Sequence, residues 1–327
     1  MPRHSAVPPP VTTALEAAGT WLADGMSAVE RRLDELTGGH GAALAEDAGA
    51  TLSAGGKRLR PMLVLLCAGP DGGDGAVRAA TAVELVHMAT LVHDDVLDDA
   101  PLRRGQPTVA ARSGRERAVA TGDLLFSRAF AELGVDGGGR QVALLSSTSV
   151  ALALGELAQR RDAYDTGIST ERYMERCTLK TGRLFECACL LGRADDESAE
   201  VPQLAEFGRE IGLAFQVLDD VLDVSGPAER TGKARGTDLL DGTVTLPLIL
   251  ARESDPGLDE IELRGLDAPD AESICERITA TGALERVRRL ARERVERAKG
   301  ALEEAPISNE ERGLLGLVAD GVVERYS

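Results

Sequence analysis

Apolar side chains recur at three- and four-residue spacing along almost the whole chain, the period of helices with one buried face. The pattern predicts helices over about 13–36, 57–69, 75–99, 115–134, 139–164, 170–192, 199–225, 236–252, 269–303 and 308–325. The breaks are short glycine and proline punctuation: Gly38-Gly39, Gly69-Pro70-Asp71-Gly72-Gly73, Gly137-Gly138-Gly139 and Ser225-Gly226-Pro227. No long polar linker separates two halves, so the expectation is all-α, one helical domain over 13–327 behind a flexible tail over 1–12.

Composition supports this picture. The chain has 327 residues, 43% apolar and only 3% aromatic, with Ala, Leu, Glu and Arg prominent, which favours helix over sheet. A formal net charge of -17 argues against nucleic acid and anionic lipid as partners. The start carries His4 and a run of prolines but no apolar stretch behind a basic head, so no signal peptide is read there. No apolar run approaches the ~18 residues of a membrane span. A cytoplasmic protein is expected. The cysteines Cys67, Cys177, Cys187, Cys189 and Cys275 form no CxxC pair and read as small core residues, not as disulfides or zinc ligands.

One internal echo carries chemistry. Asp94-Asp95-Val96-Leu97-Asp98 recurs letter for letter as Asp219-Asp220-Val221-Leu222-Asp223. In a helix, Asp94 and Asp98 share one face a turn apart, as do Asp219 and Asp223, and like charges at that spacing repel. Both stretches follow apolar residues, so the acids end otherwise buried helices and need positive charge. Oxygen ligands without neighbouring His or Cys suit a hard cation such as Mg²⁺, which takes one or two carboxylates with water and phosphate oxygens. A solvated helix end is the plain alternative for either copy; two copies favour metal. Asp95 and Asp99 point off the main face, where indirect or solvated roles are expected, and Asp220 is left open.

Cations accompany the acids. Lys57 and Arg60 lie three apart at a predicted helix start behind Gly55-Gly56, a place suited to an anion. Arg103-Arg104 follows the first acidic motif, while Lys180 and Lys233 are isolated and on spacing alone read as surface cations.

The ordered set GGKRLRP, HMATLVHDDVLDDAPLRRGQPT, LKTG, FQVLDDVLDVSG and GTDLLDGTVTLPLI resembles the trans-isoprenyl diphosphate synthases, in particular the medium- and long-chain polyprenyl synthetases. The resemblance implies a helical bundle around a deep central cavity, usually a homodimer, which adds isopentenyl diphosphate to an allylic diphosphate. It implies that Lys57, Arg60, His87 and Arg104 bind isopentenyl diphosphate. It assigns the allylic diphosphate to Arg103, Lys180, Thr181, Gln216 and Lys233. Mg²⁺, up to three ions and replaceable by Mn²⁺, would bridge that diphosphate to Asp94, Asp98 and Asp219, with Asp223 acting mainly through water or indirect contacts. Asp94, Asp98, Asp219, Arg103, Lys180 and Lys233 would then carry the catalysis. Two departures stand out: Thr243 where a lysine is common, and Ala234 where proline is common.

Related short-chain synthases floor the pocket with an aromatic residue shortly before the first aspartate motif. Here Val86, Ala89 and Thr90 occupy that region, so a product beyond farnesyl is expected, with Phe126 and Phe130 as candidates for a deeper floor. Competing readings are a non-catalytic partner subunit, a class I terpene cyclase and a helical metal phosphohydrolase built on His93-Asp94. The complete motif set, the GGKRLRP site and the scarcity of histidine argue against them in turn.

Overall fold

A computed structural model describes residues 9–39, 41–53, 55–56, 58–103, 105–135, 138–194, 201–226 and 235–324. The apolar stretch before the first aspartate motif folds as a long helix, α5 (Gly73–Leu97), buried along most of its length from Ala76 to Val96. Earlier in sequence run α1 (Pro9–Ala17), which packs on the last helix, and α2 (Thr20–Gly38), α3 (Ala42–Ser53) and α4 (Leu59–Ala68), which pack on α5. After it come α6 (Val109–Ser113), α7 (Arg115–Leu133) and α8 (Gly139–Arg161). Next follow α9 (Thr170–Cys177), α10 (Arg183–Leu191) and α11 (Pro202–Ser225). The last elements are α12 (Thr237–Leu240), α13 (Leu246–Arg252), α14 (Ala268–Ala280), α15 (Ala283–Glu304) and α16 (Asn309–Glu324). The most extensive packing is α5 on α7 and α11 on α15. A single connected cluster of buried apolar residues reaches from Ala14 to Val322.

Several boundaries differ from the periodicity. Helix α1 begins at Pro9, inside the expected tail over 1–12, because proline is tolerated in a first turn whose N–H groups have no intrahelical partner. The stretch 13–36 is two helices broken at Gly19 (φ +72), and 269–303 is two broken at Gly282 (φ +76). The stretch 236–252 divides into α12 and α13 around Gly242 (φ +72), whose carbonyl accepts the Tyr164 N–H at 2.7 Å. Helix α3 went unrecognised between glycines. Its Asp47 is wholly buried and accepts from Arg112 (2.8 Å), Ser113 (2.7 Å) and Arg117 (2.5 Å), which ties α3 to α6 and α7. A small antiparallel hairpin, β1 (Leu102–Arg103) and β2 (Gln106–Pro107), turns through Gly105 at φ +74.

Two helices, α5 and α8, are long and apolar enough to cross a membrane by length and composition, which corrects the expectation of none. For α5 the reason is internal, since most of that stretch is buried in protein; α8 is less than half buried. All five cysteines are buried and free.

Candidate active site

Helix α5 ends at Leu97 with Asp98 as its C-cap, and α11 ends at Ser225, just past Asp223. Both acidic motifs therefore sit at helix C-termini, where the macrodipole is already negative. Side-chain cations answer the charge. Lys180 Nζ stands 3.6 Å from Asp94 Oδ2 and pairs closely with Glu156 of α8. Arg160, one turn further along α8, pairs with Asp98 and with Glu156 at 2.8 Å. Asp94, Lys180, Glu156, Arg160 and Asp98 thus form one alternating line of charge. Arg103, held on β1, donates to Asp95 at 2.7 Å, and Asp99, in left-handed backbone (φ +47), pairs with Arg115.

Burial pushes the Asp94 carboxyl above the usual carboxylate range; Lys180 opposes the rise, and Glu156 and Asp98 add to it. Burial works against the charged form of Lys180, yet Asp94 and Glu156 outweigh it and hold the ammonium above its ordinary value. For Glu156 burial acts upward, but Lys180 and Arg160 draw the carboxyl below its ordinary value. The cluster is a set of charges that exist because of one another.

Lys180 lies in a π-helical turn, Thr178–Gly182, between α9 and α10. Such turns widen a helix by one residue and often mark functional sites. Lys180 reaches the α5 motif, whereas Thr181 donates its hydroxyl to Gln216 Oε1 on α11 at 2.8 Å. Adjacent residues of one turn therefore engage both acidic helices.

The second motif divides its labour. Asp219 is exposed. Asp220 is buried and accepts from the Tyr173 hydroxyl and from Gln216 Nε2 at 2.9 Å. Burial pushes its carboxyl up to about 6, with Tyr173 and Gln216 opposing and Asp219 adding to the rise. Asp223 Oδ2 accepts the Asp238 N–H at 3.2 Å, at the start of α12.

The family model for polyprenyl synthetases matches residues 42–277. The chain belongs to the polyprenyl synthetase family. Membership makes it a transferase. A heptaprenyl diphosphate synthase component 2 from Geobacillus stearothermophilus is 38% identical over 307 residues, covering 92% of this chain and 96% of that protein. An octaprenyl diphosphate synthase from Escherichia coli (strain K12) is 35% identical over 277 residues, covering 81% and 85%. A crystal structure of a polyprenyl synthase from Caulobacter crescentus CB15, complexed with calcium and isoprenyl diphosphate, superposes with a TM-score of 0.87 at 32% identity, covering 100% of both chains. The all-α fold expected from the sequence is that of these synthases.

Within the polyprenyl synthetase, the first cationic motif is partly described. Arg58, within it, takes left-handed backbone (φ +47), held by Glu30 (2.6 Å), Glu84 (2.7 Å) and the Leu52 carbonyl (3.2 Å). It anchors the turn, and Arg60 on α4 lies over the Phe185 ring at 4.3 Å. His87 is half-buried on α5, two turns before Asp94. Lys57, Arg104, Lys233 and Ala234 lie outside the described residues. Val86 and Ala89 are fully buried; Phe126 and Phe130 on α7 pack against the core, Phe126 stacking on His93 at 5.9 Å. Glu156, Arg160 and Tyr173 escaped the sequence reading. The Glu156–Arg160 pair carries only the spacing of an ordinary helix-surface pair, and Tyr173 stands outside every motif.

Proposed function

We propose that this polyprenyl synthetase condenses isopentenyl diphosphate with allylic diphosphates to a trans-polyprenyl diphosphate longer than farnesyl. The observation that carries it is the π turn whose Lys180 meets Asp94 and whose Thr181 meets Gln216, so that one turn of chain serves both acidic motifs. Medium- and long-chain names among the relatives support the product class.

Mg²⁺ fits the residues present. Asp94, Asp98 and Asp219 offer oxygen ligands only, and Asp94 and Asp98 each already hold a side-chain cation, the sign of a place that demands positive charge. No three His, Cys, Asp or Glu side chains among the described residues form a closed cage, and Mg²⁺ needs none, since it completes its shell from phosphate and water. Asp223 would take part through water, and Mn²⁺ would substitute. Calcium in the Caulobacter complex supports a divalent ion. When bound, the metal supplies positive charge at the diphosphate as the allylic carbon-oxygen bond ionises.

The chain's own groups do the rest. Lys180, Arg103 and Lys233 stabilise the leaving diphosphate more as its charge grows, which is where rate is gained. Thr181 and Gln216 orient it. Lys57, Arg60, His87 and Arg104 hold isopentenyl diphosphate so that its double bond meets the allylic carbon. Apolar surroundings are required to keep water from the cation. The last proton is assigned to no side chain; the released diphosphate accepts it.

The whole helical domain from residue 13 acts as one unit on this reading, as the continuous core supports, in the cytoplasm where both water-soluble diphosphates are available. Helix α8 presents Val150, Leu154 and Leu157 on one exposed face (58%, 52% and 61% exposed), an apolar stripe that supports a homodimer. A different subunit is the second reading, favoured by the relative whose name makes it one component of an enzyme.

The test is a product assay with Mg²⁺, labelled isopentenyl diphosphate and dimethylallyl, geranyl, farnesyl or geranylgeranyl primers. A ladder ending beyond farnesyl is expected; termination at farnesyl would refute the product class, cyclic hydrocarbons the synthase reading itself. No turnover by the protein alone would favour the two-component reading.

A further inference from the structure

Tyr173 is fully buried on α9, belongs to none of the motifs, and donates its hydroxyl to Asp220. An ionised carboxylate only accepts hydrogen bonds, so both partners of Asp220 must donate. This fixes the amide of Gln216, whose Nε2 faces Asp220 at 2.9 Å and whose Oε1 therefore faces Thr181 at 2.8 Å. Thr181 has a single hydroxyl hydrogen and gives it to Gln216. Direction is thus imposed from one end of the line to the other: the carboxylate sets the amide, and the amide sets the hydroxyl. In this arrangement the second Gln216 N–H is the donor turned to an anion, and Thr181, its hydrogen already given, acts on that anion by holding Gln216.

We propose that Tyr173 is a positioning residue for the allylic-diphosphate site: by anchoring Asp220 it fixes the direction of the Asp220–Gln216–Thr181 hydrogen bonds and so makes Gln216 the donor to the diphosphate. The inference rests on the proposed allylic role of Thr181 and Gln216. Tyr173→Phe removes the anchor while keeping the ring, and leaves Asp220 free to turn and to carry the Gln216 amide with it. Asp220→Asn has a different consequence. An asparagine that accepts from Tyr173 presents N–H to Gln216, so the amide must turn over, and Thr181 must then accept and release its hydrogen.

The experiment uses the Mg²⁺-loaded enzyme. KM for the allylic primer and for isopentenyl diphosphate are measured separately, and an allylic S-thiolodiphosphate, which resists ionisation, is titrated by calorimetry as a readout independent of turnover. Tyr173→Phe is expected to raise the primer KM and the Kd of the thiolo analogue by about tenfold, the scale of one hydrogen bond to a charged group. The isopentenyl diphosphate KM is expected to stay within about twofold, since its proposed ligands lie outside this line. The double variant Tyr173→Phe/Asp220→Asn is expected to be no weaker for the primer than Asp220→Asn alone, because both changes act through one line.

Equal changes in both KM values, no change in either, or additive losses in the double variant would each overturn the inference while leaving the synthase reading intact. If Tyr173→Phe fails to fold, Asp220→Asn carries the same comparison of the two KM values. A wild-type protein that binds no thiolo analogue and makes no product overturns both the reading and the inference.

Discussion

Gly155 of α8 lies so close to the Lys180 peptide that a Cβ built on it would stand 2.6 Å from the Lys180 nitrogen and 2.9 Å from its Cα. The contact is backbone on both sides and has no flexible end to yield. Gly155→Ala is expected to displace the π turn, lower stability by about 1–3 kcal/mol as overpacking does, and reduce kcat at least tenfold by moving Lys180 and Thr181 together. Thermal melting and single-turnover kinetics would check this; wild-type kcat in a folded variant would mean the turn tolerates the shift.

Because Asp94 and Asp98 already hold Lys180 and Arg160, a free divalent ion must displace a cation to bind. Mg²⁺ alone is expected to bind weakly, and at least tenfold more tightly once inorganic diphosphate supplies further oxygens and draws Lys180 away, a coupling of about 1.4 kcal/mol or more. Calorimetric titration with and without diphosphate measures it. Equal affinities would argue against the exchange.

Asp47 gives the clearest pH dependence. Burial alone would raise its carboxyl, yet Ser113, Arg112 and Arg117 hold it below the ordinary carboxylate value. A depressed acid contributes stability that is present above the unfolded value and lost as pH falls through the folded one. Asp47→Asn is therefore expected to cost about 1–3 kcal/mol near neutral pH, with the gap to wild type closing as pH drops below about 4. Urea unfolding at several pH values would register that convergence, and a constant gap would contradict it.

Legibility in the sequence followed locality. Helical periodicity located most elements, and the two acidic motifs identified themselves by repetition. Glycine defeated the boundaries because one letter serves opposite purposes. Gly282 breaks a helix at φ +76, whereas Gly208, inside α11, is there because a Cβ would stand 2.6 Å from the Phe185 carbonyl oxygen. No pattern of neighbours distinguishes the two. Lys180 could be named only by resemblance, since its partners Asp94 and Glu156 are remote in sequence. The pairing of Tyr173 with Asp220 bridges α9 and α11 and likewise left no local trace.

Phe126 packs partly buried on α7 and stacks on His93 of α5. If it and Phe130 form the floor of the product channel, Phe126→Ala and Phe130→Ala are expected to add one or more isoprene units to the longest product at unchanged primer KM. An identical product ladder would return both rings to ordinary core packing.

The exposed stripe on α8 is expected to be the subunit contact. Leu154→Glu combined with Leu157→Glu should yield a monomer by light scattering, since charges buried at the centre of an apolar interface are not tolerated. A wild-type monomer, or a variant that stays dimeric, would move the contact elsewhere.

The five buried thiols make this protein a convenient object for spectroscopy. Burial pushes Cys177, Cys187 and Cys275 up to about 12, and reactivity belongs to the thiolate, so maleimide reagents should leave the native chain untouched. A single change such as Ser27→Cys, exposed on α2 and away from the α8 stripe, would then carry a spin label or fluorophore with no need to remove native cysteines. In a symmetric pair of chains that label would report its own distance to its copy, turning subunit geometry into a ruler read in solution.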